Sequence, residues 1–421
     1  MPTIAVVGCG IAGDEAAFAA RRADPTARVV VFTAEPDPLI SPCVLADYVA
    51  GEIPRERTVL RRPGEYARAG IELRLNDPVR EWDPDRRELV TDSGRFAFDR
   101  LVFATGSRAA FPDLPGVDLP GVLSLRTLGD ADRMRRAPAG RAVVVGTGLV
   151  GVEAAWALRE RGWDVTLVGR RHRVLPRLFD EPIAGRLAEA LERMGIRLVL
   201  GESPVEVLGT GRSEGLRTSR STYPADLVVF GAGQRPQAEL AAAGGVPLGP
   251  SGGIATDPTM ATGLEGAYAC GDCAETVDRL TGRRGVFMLW NNARLQGRVA
   301  GRAAAGAPAR FPGSLGVSTV HAGDRAAASV GLPAAEHRDG SADLVHRVTP
   351  DGELSLVIRN GRVVGAQALG NTARIGGLLG AVLRHVQAEP LVRTPPAWAV
   401  RLRALRAFGP LEGSKARKLE G

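Results

Sequence analysis

Ile4-Ala5-Val6-Val7-Gly8-Cys9-Gly10-Ile11-Ala12-Gly13 stands near the start of the chain, and Ala142-Val143-Val144-Val145-Gly146-Thr147-Gly148-Leu149-Val150-Gly151 repeats its pattern. In each copy a short apolar run reads as a buried strand, and the alanine-rich stretch behind the last glycine reads as a helix. Between them stands G-x-G-x-x-G. That strand–turn–helix context separates a dinucleotide-binding turn from chance glycines, of which a chain with 53 has many. The first glycine permits the tight turn, the second lets a pyrophosphate approach the backbone, and the third lets helix and strand pack closely. The helix N-terminus then faces the phosphates with unbonded N–H groups and a partial positive charge. Gly8 and Gly146 lie 138 residues apart, so one nucleotide-binding unit is present twice.

Outward from these copies the same alternation continues. Val29-Val30-Val31-Phe32 and Val165-Thr166-Leu167-Val168 read as second strands, and strands alternating with helices predict α/β units with parallel sheets. The expected fold is two Rossmann-like dinucleotide-binding domains plus a C-terminal α+β domain, and 421 residues suit two to three domains. From Ser314 the pattern changes to shorter strand-like pieces with a glycine-rich segment near 374–380. Beyond Arg393 a polar tail is expected. Within it Trp398, Leu402 and Leu405 recur at i, i+4, i+7 with Arg401 and Arg406 interspersed, a short basic amphipathic helix expected to pack on its own core.

Composition narrows the function. Hydrophobic residues are 44% and charged residues 24%, the balance of a globular chain. No apolar stretch approaches the ~18 residues of a membrane span. The first residues run straight into a strand with no basic-plus-apolar signal segment, so a cytoplasmic protein without integral membrane association is expected. Four cysteines (Cys9, Cys43, Cys270, Cys273) do not make a disulfide scaffold at this length. Their spacing to histidines suits no zinc site, so no metal is expected. Net charge is +7, yet of 54 basic residues only Lys415 and Lys418 are lysines, a skew of codon usage rather than a nucleic-acid site. Aromatics are 5% and do not interleave with basic runs, so no nucleic-acid partner is expected.

The residue after the second strand discriminates between nucleotides, because a carboxylate there binds a ribose 2′-hydroxyl and repels a 2′-phosphate. In the first copy Phe32-Thr33-Ala34-Glu35 places Glu35 there, two residues later than usual. In the second copy the same place reads Gly169-Arg170-Arg171-His172-Arg173, with no acid. Guanidinium groups pair bidentately with a phosphate, so Arg170 and Arg171 point to NADPH, with NADH as a second donor. By this logic Gly169→Glu combined with Arg170→Ala should reverse the preference.

The whole chain resembles the FAD-dependent pyridine nucleotide-disulfide oxidoreductases, and within them the single-cysteine branch of coenzyme A-disulfide reductases and NADH oxidases. Besides the two fingerprints, Ala104-Thr105-Gly106-Ser107-Arg108 resembles the family's A-T-G segment, and Gly231-Ala232-Gly233 its counterpart in the nicotinamide domain. Tyr268-Ala269-Cys270-Gly271-Asp272 resembles the G-D segment whose aspartate binds the ribityl chain of FAD. The resemblance implies a discontinuous FAD-binding domain over 1–114 and 245–312. It places an NAD(P)H-binding domain at 115–244, an interface domain that pairs two subunits at 313–392, and a basic tail at 393–421. It implies FAD contacts from Gly8, Gly10, Ile11, Ala12, Gly13, Glu35, Val79, Ala104, Thr105, Gly106, Arg108, Gly271 and Asp272. Nicotinamide-nucleotide contacts would come from Gly146, Gly148, Leu149, Val150, Gly151, Arg170, Arg171 and Gly233, with Glu153 near the nicotinamide ring.

In the same family the redox cysteine falls at Cys43, in Ser41-Pro42-Cys43-Val44-Leu45. Pro42 would pre-set a helix start there, and a helix N-terminus favours a thiolate. Ala46-Asp47-Tyr48 departs from the proline-tyrosine pair the family places after its cysteine, which leaves the oxidant open. Cys270-x-x-Cys273 spells a dithiol motif, but its place in the flavin-binding segment argues for packing. No second cysteine follows Cys43 nearby, and both lysines lie in the tail, so the dithiol disulfide reductases are excluded. Two functions compete. One is an NAD(P)H oxidoreductase that passes hydride to FAD and on, through Cys43, to a small-molecule disulfide or oxygen-derived oxidant. The other is a reductase of a small rubredoxin- or ferredoxin-like carrier, for which Cys43 would be dispensable. A homodimer is expected for either.

Overall fold

The structure, a computed structural model, describes residues 1–323, 325–337, 340–350 and 352–388. The amphipathic segment at 398–406 therefore lies outside the described residues. The chain forms two compact units, 1–109 with 126–129 and 234–315, and 110–125 with 130–233 and 316 onward.

The first unit is built on a five-stranded parallel sheet, in the spatial order Ala267–Ala269, Arg100–Phe103, Thr3–Val7, Arg28–Phe32, Ile71–Arg74. Ile4, Ala5, Val6, Val30, Val31 and Phe103 are fully buried, as strands covered on both faces must be. Chain order reverses at Thr3–Val7: its one neighbour is the next strand, and its other neighbour comes from residues 100–103. A doubly wound sheet binds ligands in the crevice at such a switch point, beyond the carboxyl ends of its strands. Helix Ile11–Ala23 leaves the first strand there and packs against helix Trp290–Ala304. Small residues make that contact close, since a Cβ on Gly297 or Gly301 would lie 2.2 or 2.0 Å from the carbonyl oxygen of Ala12 or Ala16.

The second unit repeats the plan. Its parallel sheet runs Arg197–Leu200, Asp164–Gly169, Arg141–Val145, Leu227–Phe230, Val122–Leu123, and reverses at Arg141–Val145. The duplication reaches beyond the glycine fingerprints. In each unit the third strand, counted from the fingerprint strand, is followed by a three-stranded antiparallel meander. The meander is Val79–Asp83, Glu88–Thr91, Gly94–Ala97 in one unit and Pro204–Leu208, Gly215–Thr218, Thr222–Pro224 in the other. The chain passes from one unit to the other after Ala109 and returns at Gln234, next to the antiparallel pair Ser107–Ala109 and Gln234–Pro236.

The C-terminal part is a five-stranded antiparallel sheet, in the order Val317–Ala322, Arg325–Gly331, Arg362–Gly370, Gly352–Arg359, Ala342–Thr349, with helix Arg374–Leu383 against it. Its strands run to nine residues, longer than the short pieces expected. Ser355 and Gln367 interrupt the apolar runs in sequence, yet both are buried. Each is paired: Ser355 Oγ lies 3.0 Å from Nδ1 of His346, and Gln367 Nε2 donates to Oδ2 of Asp180 at 2.6 Å. A satisfied buried polar group does not break a strand. No helix of the described residues is long and apolar enough to cross a membrane.

Candidate functional site

The glycines of each fingerprint fall into two kinds. A Cβ on Gly8 (φ +109°) would lie 2.1 Å from the carbonyl oxygen of Ala104, and one on Gly13 would lie 1.9 Å from that of Gly8. In the second copy Gly146 (φ +116°) would meet the carbonyl oxygen of Gly231 at 2.4 Å, and Gly151 that of Gly146 at 1.7 Å. The protein's own backbone therefore demands the first and third glycines. Gly10 and Gly148 have ordinary φ values of −71° and −79°, and a Cβ added at either would meet nothing within 4 Å. Each is the N-cap of its helix, and no side chain caps either start. The first-turn N–H groups, those of Ile11, Ala12 and Gly13 in one copy and of Leu149, Val150 and Gly151 in the other, therefore have no side-chain cap from the N-cap residue. A glycine with no steric reason inside the protein keeps room for a ligand, and an uncapped helix start suits an anionic one.

The first site continues across the switch point. Thr105 Oγ1 donates to the Gln237 carbonyl at 2.5 Å while Gln237 Nε2 donates to the Thr105 carbonyl at 2.7 Å, which locks the Ala104-Thr105-Gly106 loop. Gly271 (φ +81°) begins the turn Gly271–Cys273, and its N–H donates to Gln296 Oε1 at 2.8 Å. A Cβ on Gly271 would lie 2.7 Å from that of Ala12, so the turn is pressed against the start of the first helix. Asp272 follows. Its Oδ2 lies 2.9 Å from Ser107 Oγ and 3.3 Å from Nη2 of Arg126. Burial pushes this carboxyl up, while Arg126 and the Ser107 hydrogen bond pull it down. Among the described residues neither contact uses Oδ1, so an acceptor remains for a hydroxyl-bearing ligand. A phosphate cradle with a hydroxyl acceptor beyond it fits FAD.

The remaining residues expected at this site are more peripheral. Glu35 is exposed, in the loop past Phe32; its N–H donates to Thr33 Oγ1 and its carbonyl accepts from Asn76. Val79 begins an antiparallel strand and packs partly buried on the core. Arg108 pairs with Glu239 at 2.5 Å, so its charge is already matched.

The four thiols differ sharply in setting. Cys43 alone is exposed. It lies in the 3-10 turn Pro42–Val44, and the α-helix starts two residues later at Leu45 and ends at Ala50. Pro42 opens that turn rather than a full helix, so the expected helix-dipole support for the thiolate is correspondingly short. Cys9 is buried, its Sγ 3.4 Å from the Tyr66 hydroxyl; burial pushes its thiol up to about 11. Cys270 and Cys273 are fully buried and burial raises both thiols. Cys273 donates to the Cys270 carbonyl at 3.3 Å.

In the second site the residues of the basic run differ in their contacts. Arg170 is exposed and makes no hydrogen bond or ion pair among the described residues. Arg171 Nη1 pairs with Glu336 Oε1 at 2.9 Å. His172 packs over Gly201, whose Cβ would come within 2.6 Å of the ring, and Arg173 Nη2 donates to the Pro176 carbonyl at 3.2 Å. Position 169 is glycine for a packing reason: a Cβ there would lie 2.4 Å from Cγ2 of Thr147. The Gly169→Glu change suggested by the sequence therefore clashes with a stiff β-branched side chain inside the phosphate turn. Glu153 is half-buried on helix Leu149–Glu160, and the carbonyl of Gly233 (φ +118°) accepts the N–H of Ala110 at 2.9 Å.

Several site residues escape sequence reasoning. Asp14, one position past the first fingerprint, is buried and accepts from Tyr66 Oη at 2.6 Å and from Arg61 Nε at 2.7 Å. Glu15 joins the two packed helices through Arg294 and Arg298, each at 2.8 Å; burial opposes ionisation, but the two arginines win and hold its carboxyl below its usual range. Arg126 and Gln296 reach the site from segments without a motif. Only Gln296 leaves a trace, a polar residue beside the Gly297 and Gly301 spaced for close helix packing.

Comparison with known proteins places these features in a family context. The model of the pyridine nucleotide-disulphide oxidoreductases matches residues 2–297. A CoA-dependent NAD(P)H sulfur oxidoreductase of Pyrococcus furiosus is 36% identical over 323 residues, covering 75% of this chain and 73% of that protein. An NADH oxidase of Methanocaldococcus jannaschii is 29% identical over 413 residues, 92% of each chain. The solved NAD-dependent persulfide reductase of A. fulgidus superimposes with a TM-score of 0.88 at 28% identity, over 99% of this chain and 83% of that one.

The two kinds of glycine make a direct prediction. Gly10→Val should fold, as judged by far-ultraviolet circular dichroism, but purify without flavin absorbance. Gly148→Val should stay yellow and lose reduction by nicotinamide nucleotide. Gly10→Val that binds a full equivalent of FAD would show that the open space serves something else.

Proposed function

The chain belongs to the pyridine nucleotide-disulphide oxidoreductase family and is an FAD-dependent NAD(P)H oxidoreductase; from that premise we propose that it uses NADPH to reduce a low-molecular-weight disulfide or persulfide through Cys43. One observation carries the proposal. Of four thiols only Cys43 is exposed, at the position that resembles the family's redox cysteine, while Cys9, Cys270 and Cys273 are buried with thiols held protonated by desolvation. The sulfur-reducing relative from Pyrococcus furiosus supports the same choice of acceptor.

Gly8, Gly10 and Gly13, the first-turn N–H groups and Asp272 would hold FAD, and Gly146, Gly148 and Gly151 would hold the nicotinamide nucleotide. Bound FAD supplies a two-electron relay between nicotinamide and thiol. The chain's own chemistry is thiol exchange. The Cys43 thiolate attacks one sulfur of the acceptor RSSR, a Cys43–SR bond forms, and RS⁻ leaves and takes a proton. Two electrons from the nicotinamide then cleave the mixed disulfide, so that NADPH, a proton and RSSR give NADP⁺ and two RSH. The glycine cradles orient the cofactors, and Arg126 with Ser107 holds the Asp272 carboxylate in place. The 313–392 region is the proposed subunit interface.

NADPH preference rests on Arg170, which is exposed and makes no ion pair or hydrogen bond among the described residues. One charge-assisted bond to a 2′-phosphate is worth about 1.5–3 kcal/mol, or roughly 10- to 100-fold.

Two experiments test these statements. Cys43→Ser should stay yellow and lose disulfide-dependent NADPH oxidation by at least about 100-fold; retained turnover with the disulfide would overturn the thiol route and favour a carrier reductase. Arg170→Ala should lower kcat/KM for NADPH about 10-fold or more and shift that for NADH little, with the NADPH advantage shrinking as salt rises. A wild-type enzyme that already prefers NADH tenfold at low salt would make Arg170 a solvated surface charge.

A further inference from the structure

Arg171 stands beside Arg170 at the end of the strand Asp164–Gly169, yet its guanidinium is turned to Glu336, 165 residues further along the chain and 2.9 Å away. Glu336 is the last residue of the short turn Ala334–Glu336. That turn is fixed from below. Asp180, 4% exposed, accepts the N–H of Ala334 at 2.9 Å and that of Ala335 at 3.1 Å. Asp180 is held in turn by Gln367, whose Nε2 donates to Oδ2 at 2.6 Å and whose Oε1 accepts the Asp180 N–H at 2.8 Å. A buried, well-bonded carboxylate thus pins the turn, and the turn presents a carboxylate to the one basic cluster that resembles a 2′-phosphate site.

We propose that Glu336 is a specificity-determining residue that weakens NADPH selectivity, by engaging Arg171 and by placing a negative charge beside the 2′-phosphate position. The inference rests on the NADPH reading of Arg170. Two effects of Glu336 act in one direction. The ion pair restrains Arg171 from reaching a second acceptor, and the carboxylate repels a phosphate that carries close to two charges. Neither acts on a 2′-hydroxyl. With Arg171 43% and Glu336 24% exposed, the pair is partly solvated and its influence is moderate and salt-sensitive. The arrangement gives the enzyme a preference for NADPH that still leaves NADH usable.

The probes are adenosine 2′,5′-bisphosphate and 5′-AMP, used as inhibitors of the FAD-loaded full-length enzyme. Glu336→Gln should tighten the inhibition constant of the bisphosphate about 3- to 10-fold and shift that of 5′-AMP less than twofold. The gain should fall by half or more in 0.5 M salt, and also when Arg171→Ala is added. Glu336→Ala repeats the test should the amide rebuild a hydrogen bond to Arg171. An unchanged or weakened bisphosphate constant in both variants overturns the inference, whatever Arg170 does. Arg170→Ala in parallel tests the NADPH reading by itself: if it leaves the bisphosphate constant unchanged while Glu336→Gln tightens it, the reading of Arg170 fails and that of Glu336 stands.

Discussion

A close backbone approach, between a helix start and the loop after a neighbouring strand, sets the rest of the architecture. It occurs twice, where Gly8 and Gly13 lie against Ala104 and where Gly146 and Gly151 lie against Gly231. No side chain fits between these backbones, so each helix is aimed with its N–H groups over the crevice where strand order reverses. The rest of each nucleotide site is arranged around that direction. In the first unit helix Trp290–Ala304 brings Gln296 to the Gly271 N–H, and the turn begun by Gly271 delivers Asp272 beyond the helix start. Binding here is a consequence of backbone packing first and of side-chain chemistry second.

Sequence shows this framework because it is written in residues that have few other reasons to occur. Two strand–glycine–helix blocks at equivalent places predict two parallel sheets, and both are present. The meanders that extend the duplication carry no such signature, since short antiparallel strands of mixed polarity look alike wherever they occur. The C-terminal strands read as shorter than they are because Ser355 and Gln367 look like interruptions until their hydrogen-bond partners, His346 and Asp180, are seen. Long-range partners are illegible for the same reason. Nothing near Arg126 announces that it reaches Asp272, 146 residues away, and nothing in Arg170-Arg171-His172-Arg173 tells that Arg171, His172 and Arg173 are engaged elsewhere while Arg170 is not.

Charge placement separates the two nucleotide sites more than fold does. Glu35 follows the second strand of one sheet and Arg170 that of the other, so the loops after these two strands carry opposite charges. The first helix also carries Asp14 in its first turn, an unfavourable guest for a phosphate, and the structure answers with Arg61 and the Tyr66 hydroxyl, which occupy that carboxylate. The second helix has no acid in its first turn. Thiol chemistry is segregated in the same way. Cys9 lies within the first phosphate turn, but desolvation keeps it protonated, whereas Cys43 is left at the surface on a short turn.

The central claim is that electrons leave this protein in pairs, through one thiol, to a disulfide. Rapid mixing measures it directly: the FAD-loaded protein is reduced with one equivalent of NADPH without oxygen, then mixed with a low-molecular-weight disulfide or with a one-electron iron–sulfur carrier. The account predicts fast reoxidation by the disulfide, with two thiols released per NADPH consumed, and slow reoxidation by the carrier. Reoxidation by two equivalents of the carrier, with the disulfide inert, would contradict it.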